Sequence, residues 1–172
     1  VDCALLTAAH LERELFGDAA TPGFGGGAAR RGRLELAAGG TLVLLNIDEM
    51  ALMLQADLAQ ALREKRFRRL GATDYRSFDA QIVSTTRFDL SHHARQGLFR
   101  EDLLDEIAEA TVTMPPLREC RDDIATLTEH FLRQTALKHG VPPRRLTAAA
   151  VDLLSHYHWP GNVRELENLI AH

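Results

Sequence analysis

Apolar positions follow two regimes along the chain. In a longer first part short apolar runs alternate with helical stripes, and in the remainder only helical stripes occur. Residues 4–16 set Leu5, Leu6, Leu11, Leu15 and Phe16 at helical spacing between charged positions, which predicts a surface helix. Residues 18–32 break every periodicity. Within them Thr21-Pro22-Gly23-Phe24-Gly25-Gly26-Gly27 has four glycines and a proline, the composition of a mobile loop. After the turn Gly39-Gly40, the run Thr41-Leu42-Val43-Leu44-Leu45 predicts a strand over 41–46 that is buried on both faces, Leu45 included. Met50, Leu54, Leu58 and Leu62 then form one stripe of a helix over 50–64. Strand and helix in alternation argue for a parallel α/β sheet.

The basic stretch Arg63-Glu64-Lys65-Arg66-Phe67-Arg68-Arg69-Leu70 leads through Gly71 to residues 75–78, a hairpin pattern. Its arginines either touch a partner or form a solvated edge whose charges discourage strand pairing, and both readings stand. Further strands are expected at 80–85 and 111–114, with helical residues 97–108 between them, and Pro115-Pro116 ends the α/β part. Residues 121–139 read as a helix matched to its dipole at both ends. Asp122 and Asp123 lie in its first turn, Ile124, Leu127 and Phe131 on one face, Lys138 and His139 in its last turn, and Gly140 is the stop. Thr147 begins a second helix through Leu154, and Asn162 with Glu165 forms an N-x-x-E capping arrangement for a third. The chain therefore divides into an α/β part at 1–116 and a helical, lid-sized bundle at 117–172.

Composition narrows the class. The 172 residues are 45% hydrophobic and 26% charged, enough for a real core. A net charge of -4 argues against a general nucleic-acid-coating surface, and no apolar run approaches the roughly 20 residues of a membrane span. Cys3 and Cys120 form neither a CxxC pair nor a Cys/His cluster, which fits a reducing cytoplasm and speaks against a zinc site or a disulfide framework. His92-His93 and His156-x-His158 read as surface or core histidines, and no metal site is expected. No signal-peptide pattern opens the chain, which begins at Val1 as a fragment would.

Six segments stand in one order and spacing. They are Glu14-Leu15-Phe16-Gly17, Gly32-Arg33-Leu34-Glu35-Leu36-Ala37, Gly39-Gly40-Thr41-Leu42, Phe99-Arg100-Glu101-Asp102-Leu103, Met114-Pro115-Pro116-Leu117-Arg118-Glu119, and Trp159-Pro160-Gly161-Asn162-Val163-Arg164-Glu165-Leu166-Glu167-Asn168. Together they resemble the central AAA+ domain of NtrC-type bacterial enhancer-binding proteins, the activators of sigma-54 RNA polymerase. The resemblance runs from end to end and implies an α/β AAA+ core with a parallel sheet and a C-terminal helical lid.

The resemblance also implies a site, and this chain departs from it. Such ATPases end the strand matching 41–46 in Asp-Glu. The first acid holds Mg²⁺ and the second orients the attacking water, because catalysis of phosphoryl transfer is mostly positioning and charge neutralisation. Here Leu45 and Asn46 stand in those places, so no metal contact is expected from either. Asp48 and Glu49 read as solvated acids of the following turn rather than as displaced catalytic acids. The polar sensor of the strand matching 80–85 falls on Arg87, and the second of two arginines offered to a neighbouring subunit falls on Glu106, a charge reversal. The first of those arginines falls on Arg100, and the lid arginine that senses nucleotide falls on Arg164. Both are present, as residual nucleotide-binding positions that can equally pair with a nearby acid. The phosphate loop G-x-x-x-x-G-K-[ST] does not occur in the sequence, and by resemblance it precedes Val1. The sheet would then lack the strand that carries it, between those matching 111–114 and 80–85. The sigma-contact hexapeptide GAFTGA aligns with Thr21, Pro22, Gly23, Phe24, Gly25 and Gly26, where only Gly25 matches in place.

The resemblance with these losses implies a degenerate AAA+ domain of a bacterial transcription regulator, with no catalytic residues and no efficient ATP hydrolysis. It would serve oligomerisation, signal relay between flanking domains, or contact with another form of RNA polymerase. No resident cofactor is expected, and ATP with Mg²⁺ would bind only weakly or with the help of upstream sequence. Partners would be further copies of the chain, as a dimer or ring, and RNA polymerase, with DNA reached only through flanking domains and no membrane contact. Two alternatives remain open: an active ATP-dependent sigma-54 activator domain, and a non-hydrolysing sensor of a nucleotide or second messenger.

Overall fold

A computed structural model describes residues 1–19 and 28–171 and separates them into two compact units, Val1–Thr111 and Val112–His172. In chain order the first unit holds α1 (Ala8–Phe16), β1 (Gly17–Asp18), β2 (Arg30–Arg31), α2 (Arg33–Leu36), β3 (Thr41–Leu44), α3 (Leu52–Glu64), β4 (Arg66–Arg68), β5 (Tyr75–Ser77), β6 (Gln81–Ser84), α4 (Leu90–Arg95) and α5 (Glu101–Ile107). The predicted sigma-contact segment, Thr21 to Gly26, lies outside the described residues.

The parallel pair β3–β6 is the centre of this unit, in the register Leu42↔Ile82 and Val43↔Val83. On the other edge of β3 the chain start runs parallel as well. Leu45 N donates to Val1 O at 2.8 Å, Cys3 N donates to Leu45 O at 2.9 Å, and Asp2 lies opposite Leu45. The strand predicted at 41–46 exists, but its burial alternates instead of being complete. Leu42 and Leu44 face the core, whereas Val43 and Leu45 are 41% and 39% exposed. The core elements pack against one face of the pair, and the alternation of side chains puts Val43, Val83 and Leu45 on the other. The expected burial of Leu45 is therefore corrected.

Helix α3 starts at Leu52 rather than at residue 50 and buries the predicted leucine stripe, with Met50 in the turn ahead of it. Met50, Leu54, Leu58 and Leu62 are all in the core with Leu44 and Leu103, each leucine worth about 2 kcal/mol by removal from water. Helix α1 starts later than residue 4 because Thr7 caps it, its hydroxyl accepting from His10 N at 3.4 Å. The helical stretch predicted over 97–108 holds one helix, α5, shorter than expected, and a separate helix that was not predicted, α4, precedes it. Asp89 caps α4 through Ser91 N and His92 N, Gly97 turns the chain at φ 72°, and α5 begins only at Glu101. The hairpin of β4 and β5 is antiparallel as predicted, pairing Phe67 with Arg76. No strand forms at 111–114 among the described residues, where Val112 and Met114 are 83% and 82% exposed. An apolar run becomes a strand only where a neighbouring edge accepts its hydrogen bonds, and these residues have none.

The second unit consists of a short 3₁₀ turn (Leu117–Glu119) and three helices, α6 (Arg121–His139), α7 (Ala148–His156) and α8 (Asn162–Ala171). Ile124, Phe131, Trp159 and Leu166 form its core with Leu117, and the Trp159 indole donates to Leu154 O at 2.8 Å. Gly140, at φ 66°, stops α6 where the sequence placed the stop. The predicted Asn162–Glu165 capping arrangement is re-aimed. Asn162 adopts φ 51° and its side chain accepts from Leu117 N at 2.9 Å, while Glu165 reaches back to Gly161 N at 2.8 Å.

Candidate functional site

The C-terminal ends of β3 and β6 are where an open parallel sheet places a ligand, because the loops diverge there and leave a crevice. Asn46 sits at this end in the left-handed conformation, φ 53°, and starts the 3₁₀ turn Ile47–Glu49. Its backbone N donates to the Thr85 hydroxyl at 3.3 Å, and its side-chain amide donates to an oxygen of Asp2 at 2.8 Å. Sequence reasoning missed Asp2. It precedes β3 by some forty residues, and only the pairing of the chain start with β3 brings it to Asn46.

These residues do not fit a Mg²⁺ grip of the kind the resemblance implies. Leu45 has no donor atom, and the Asn46 amide is held by Asp2. Among the described residues no group of three His, Cys, Asp or Glu side chains could hold a metal ion. Asp48 departs from the solvated acid expected of it. It is half-buried, and one of its carboxylate oxygens has no hydrogen-bond partner among the described residues, whereas Glu49 is exposed as expected.

The other predicted positions are dispersed. Arg87 lies beyond β6 with its guanidinium 5.9 Å from the Phe88 ring, which stacks on His93. Arg100 makes a two-pronged ion pair with Asp102 at 2.8 and 2.7 Å. The hydrogen bond and charge of Arg100 hold the Asp102 carboxyl below its usual range. Glu106, where the resemblance implies an arginine, accepts from Arg63 of α3 at 3.1 Å. Arg164, in the second unit, makes no ion pair within 4 Å among the described residues, so a structural pairing accounts for Arg100 and not for it. No hydrogen bond or ion pair among the described residues ties Arg87, Arg100 or Glu106 to the end of β3.

Gln55 was also missed, because a glutamine beside an apolar helical stripe carries no sequence signal. It is fully buried in α3, donates to Met50 O at 2.7 Å and accepts Arg100 N at 2.8 Å. Removing it would deprive two backbone groups of these partners, Met50 O ahead of α3 and Arg100 N at the start of α5. The hairpin arginines are largely neutralised in place. Arg63, Arg66, Arg69 and Arg76 pair with Glu106, Glu64, Glu35 and Asp74, and Arg66 and Arg68 also stack on Tyr75 at 4.4 and 5.0 Å.

Known families match this architecture over nearly its whole length. Residues 1–113 match the sigma-54 interaction domain, and residues 118–172 match the AAA+ ATPase lid domain. The chain belongs to the sigma-54 interaction domain family. Its curated relatives include the nitric oxide reductase transcription regulator NorR1 of Cupriavidus necator, 40% identical over 99% of this chain and 33% of the relative. The transcriptional regulatory protein ZraR of Salmonella typhimurium is 39% identical over 99% of this chain and 38% of the relative. The chain thus spans about a third of the length of these relatives. Among solved structures, NtrX from Brucella abortus in complex with ATP superposes with a TM-score of 0.88 at 33% identity, covering 99% of this chain and 37% of that one. The α/β AAA+ fold with a parallel sheet and helical lid is thereby established, within a family of sigma-54-dependent transcription regulators that comprises ATPases. No described helix is long and apolar enough to cross a membrane.

Proposed function

We propose that this domain serves a bacterial transcription regulator by oligomerisation or signal relay, without efficient ATP hydrolysis. One observation carries the proposal. At the end of β3, where the family's chemistry needs a metal-holding acid followed by a water-orienting acid, Leu45 offers no ligand and Asn46 offers an amide already committed to Asp2. The Arg63–Glu106 pair supports it, since a carboxylate at that position repels phosphate. The test is ATP turnover by the full-length protein. Turnover at background supports the proposal, and a rate typical of the family's activators overturns it.

The active-ATPase reading has one observation in its favour. A carboxylate remains at the strand end, on Asp2 rather than on residue 46. If the full-length protein hydrolyses ATP and Asp2→Asn abolishes that activity with the melting temperature unchanged, the second reading replaces the first. A nucleotide that binds in a calorimetric titration without being hydrolysed would instead favour the sensor.

A further inference from the structure

Helices α1 and α3 and the β4–β5 hairpin line a cavity of about 270 Å³, to which none of the residues at the end of β3 contributes. Its floor is apolar, the buried rings of Phe16 and Phe67 lying 6.0 Å apart between centres. Asp57, Gln60 and Glu64 follow one another along it on one face of α3, so it runs about 10 Å from Asp57 to Glu64 by the helical rise. The two ends differ in charge. Glu64 is satisfied, accepting from Gln60 at 2.8 Å and from Arg66 at 2.9 Å. Arg66 and Arg68 stack on the same Tyr75 ring at 4.4 and 5.0 Å, which sets Arg68 at the Glu64 end, where it pairs with no carboxylate among the described residues. Asp57 and the Glu12 of α1 also line the cavity, and neither makes a hydrogen bond or ion pair among the described residues. Burial raises the Asp57 carboxyl above its usual range, a cost that a cation beside it would offset. We infer that this cavity binds a small ω-amino acid, its ammonium at Asp57 with Glu12, its methylenes over Phe16 and Phe67, and its carboxylate at Arg68. A phosphate is disfavoured by the two free acids, and the second ammonium of a diamine by Arg68. Only a ligand with opposite charges at its two ends, on a spacer of several methylenes, answers both ends at once. The inference goes beyond the proposed function and holds whether or not nucleotide is hydrolysed.

The test is a titration of the 172-residue chain with ε-aminocaproate, followed through its amide NMR signals. Shifts should gather at Gln60, Gly71 and Ala72, which line the cavity, and leave Leu45 unmoved. Hexylamine lacks the carboxylate, hexanoate lacks the amine, and norleucine is an isomer with both charges on one carbon. Each should bind about tenfold more weakly or worse, through the loss of a charge-assisted contact. Asp57→Asn and Arg68→Gln should each weaken ε-aminocaproate by about tenfold. Arg76→Gln, whose partner Asp74 lies outside the cavity, should leave its affinity unchanged. The ligand series on the unchanged protein decides the matter even where a variant is destabilised. Absence of shifts at about 10 mM ε-aminocaproate would overturn the inference. Norleucine or hexylamine binding as tightly would too, since the charges at the two ends would then not be read, and so would Asp57→Asn and Arg68→Gln variants that bind like the unchanged protein.

Discussion

Asn46 donates its side-chain amide to the carboxylate of Asp2 at 2.8 Å, across two parallel segments paired edge to edge. The pair is complementary as it stands, one donor against one acceptor. A glutamate at position 46 would set two carboxylates against each other in a part-buried site, where like charges cannot both ionise cheaply. Asn46→Glu should therefore cost about 1–3 kcal/mol and lower the melting temperature by several degrees. Adding Asp2→Asn should recover most of the loss by restoring one donor and one acceptor. A thermal melt of the two variants decides the matter, and an unshifted midpoint for Asn46→Glu would mean the pair does not hold in solution.

Glu14, Glu35 and Asp102 all have pKa values lowered by arginine partners, in Glu35 against the opposing effect of burial. A carboxyl whose pKa is lower folded than unfolded stabilises the fold above its unfolded pKa, and that contribution is lost as pH falls through the folded value. Stability should accordingly fall below about pH 4.5, the ordinary glutamate value. Glu35→Gln should lower stability at neutral pH and flatten this acid limb, as urea midpoints measured from pH 3 to 7 would reveal. An acid limb as steep as in the unchanged protein would remove Glu35 from the account.

The parallel α/β core was legible because its signals are local. The α3 stripe, the β3 run after Gly39-Gly40 and the ends of α6 each follow from spacing and capping within a few residues. What was not legible depends on distant partners. Residues 111–114 have strand composition and no edge to pair with, and Val43 and Leu45 have buried-strand composition on a face the core does not cover. The candidate site divides the same way. The departures that the resemblance implies at Leu45, Asn46, Arg87 and Glu106 could be named from the sequence, but what those residues touch could not. Asp2 meets Asn46, and Arg63 meets Glu106, only through the fold.

The two cysteines should differ in reactivity. Cys3 is 2% exposed beside β3, and burial pushes its thiol up to about 11, with the nearby Asp2 and Asp48 adding to that and the chain's amino terminus opposing it. The thiolate is the nucleophile, so Cys3 should resist alkylation at pH 8 while the half-buried Cys120 reacts. Mass spectrometry after brief iodoacetamide treatment should find one label on the native protein and two after unfolding in urea. The raised thiol stabilises the fold below the unfolded pKa, and that contribution disappears as pH rises toward 11. Prompt double labelling of the native protein would mean that the chain start leaves β3 in solution.

Restoring both acids at the end of β3, Leu45→Asp with Asn46→Glu, should not recover appreciable ATP hydrolysis, even in the full-length protein. Groups that stabilise a phosphoryl-transfer transition state act as a unit, so repairing one part leaves the rest short. Arg87 still stands where the resemblance implies a polar sensor, and Glu106 remains tied to Arg63 where it implies an arginine. Leu45 is 39% exposed, so an aspartate there carries a smaller desolvation cost than a fully buried strand would impose. The loss of stability should come mainly from the new glutamate facing Asp2, and adding Asp2→Asn should relieve it without bringing turnover. A coupled-enzyme assay with Mg-ATP on the double and triple variants separates the two effects. If the double variant hydrolyses ATP at a rate typical of the family, Arg87 and Glu106 are tolerated and the defect lies in Leu45 and Asn46 alone, which makes the domain a recently disabled ATPase rather than a relay.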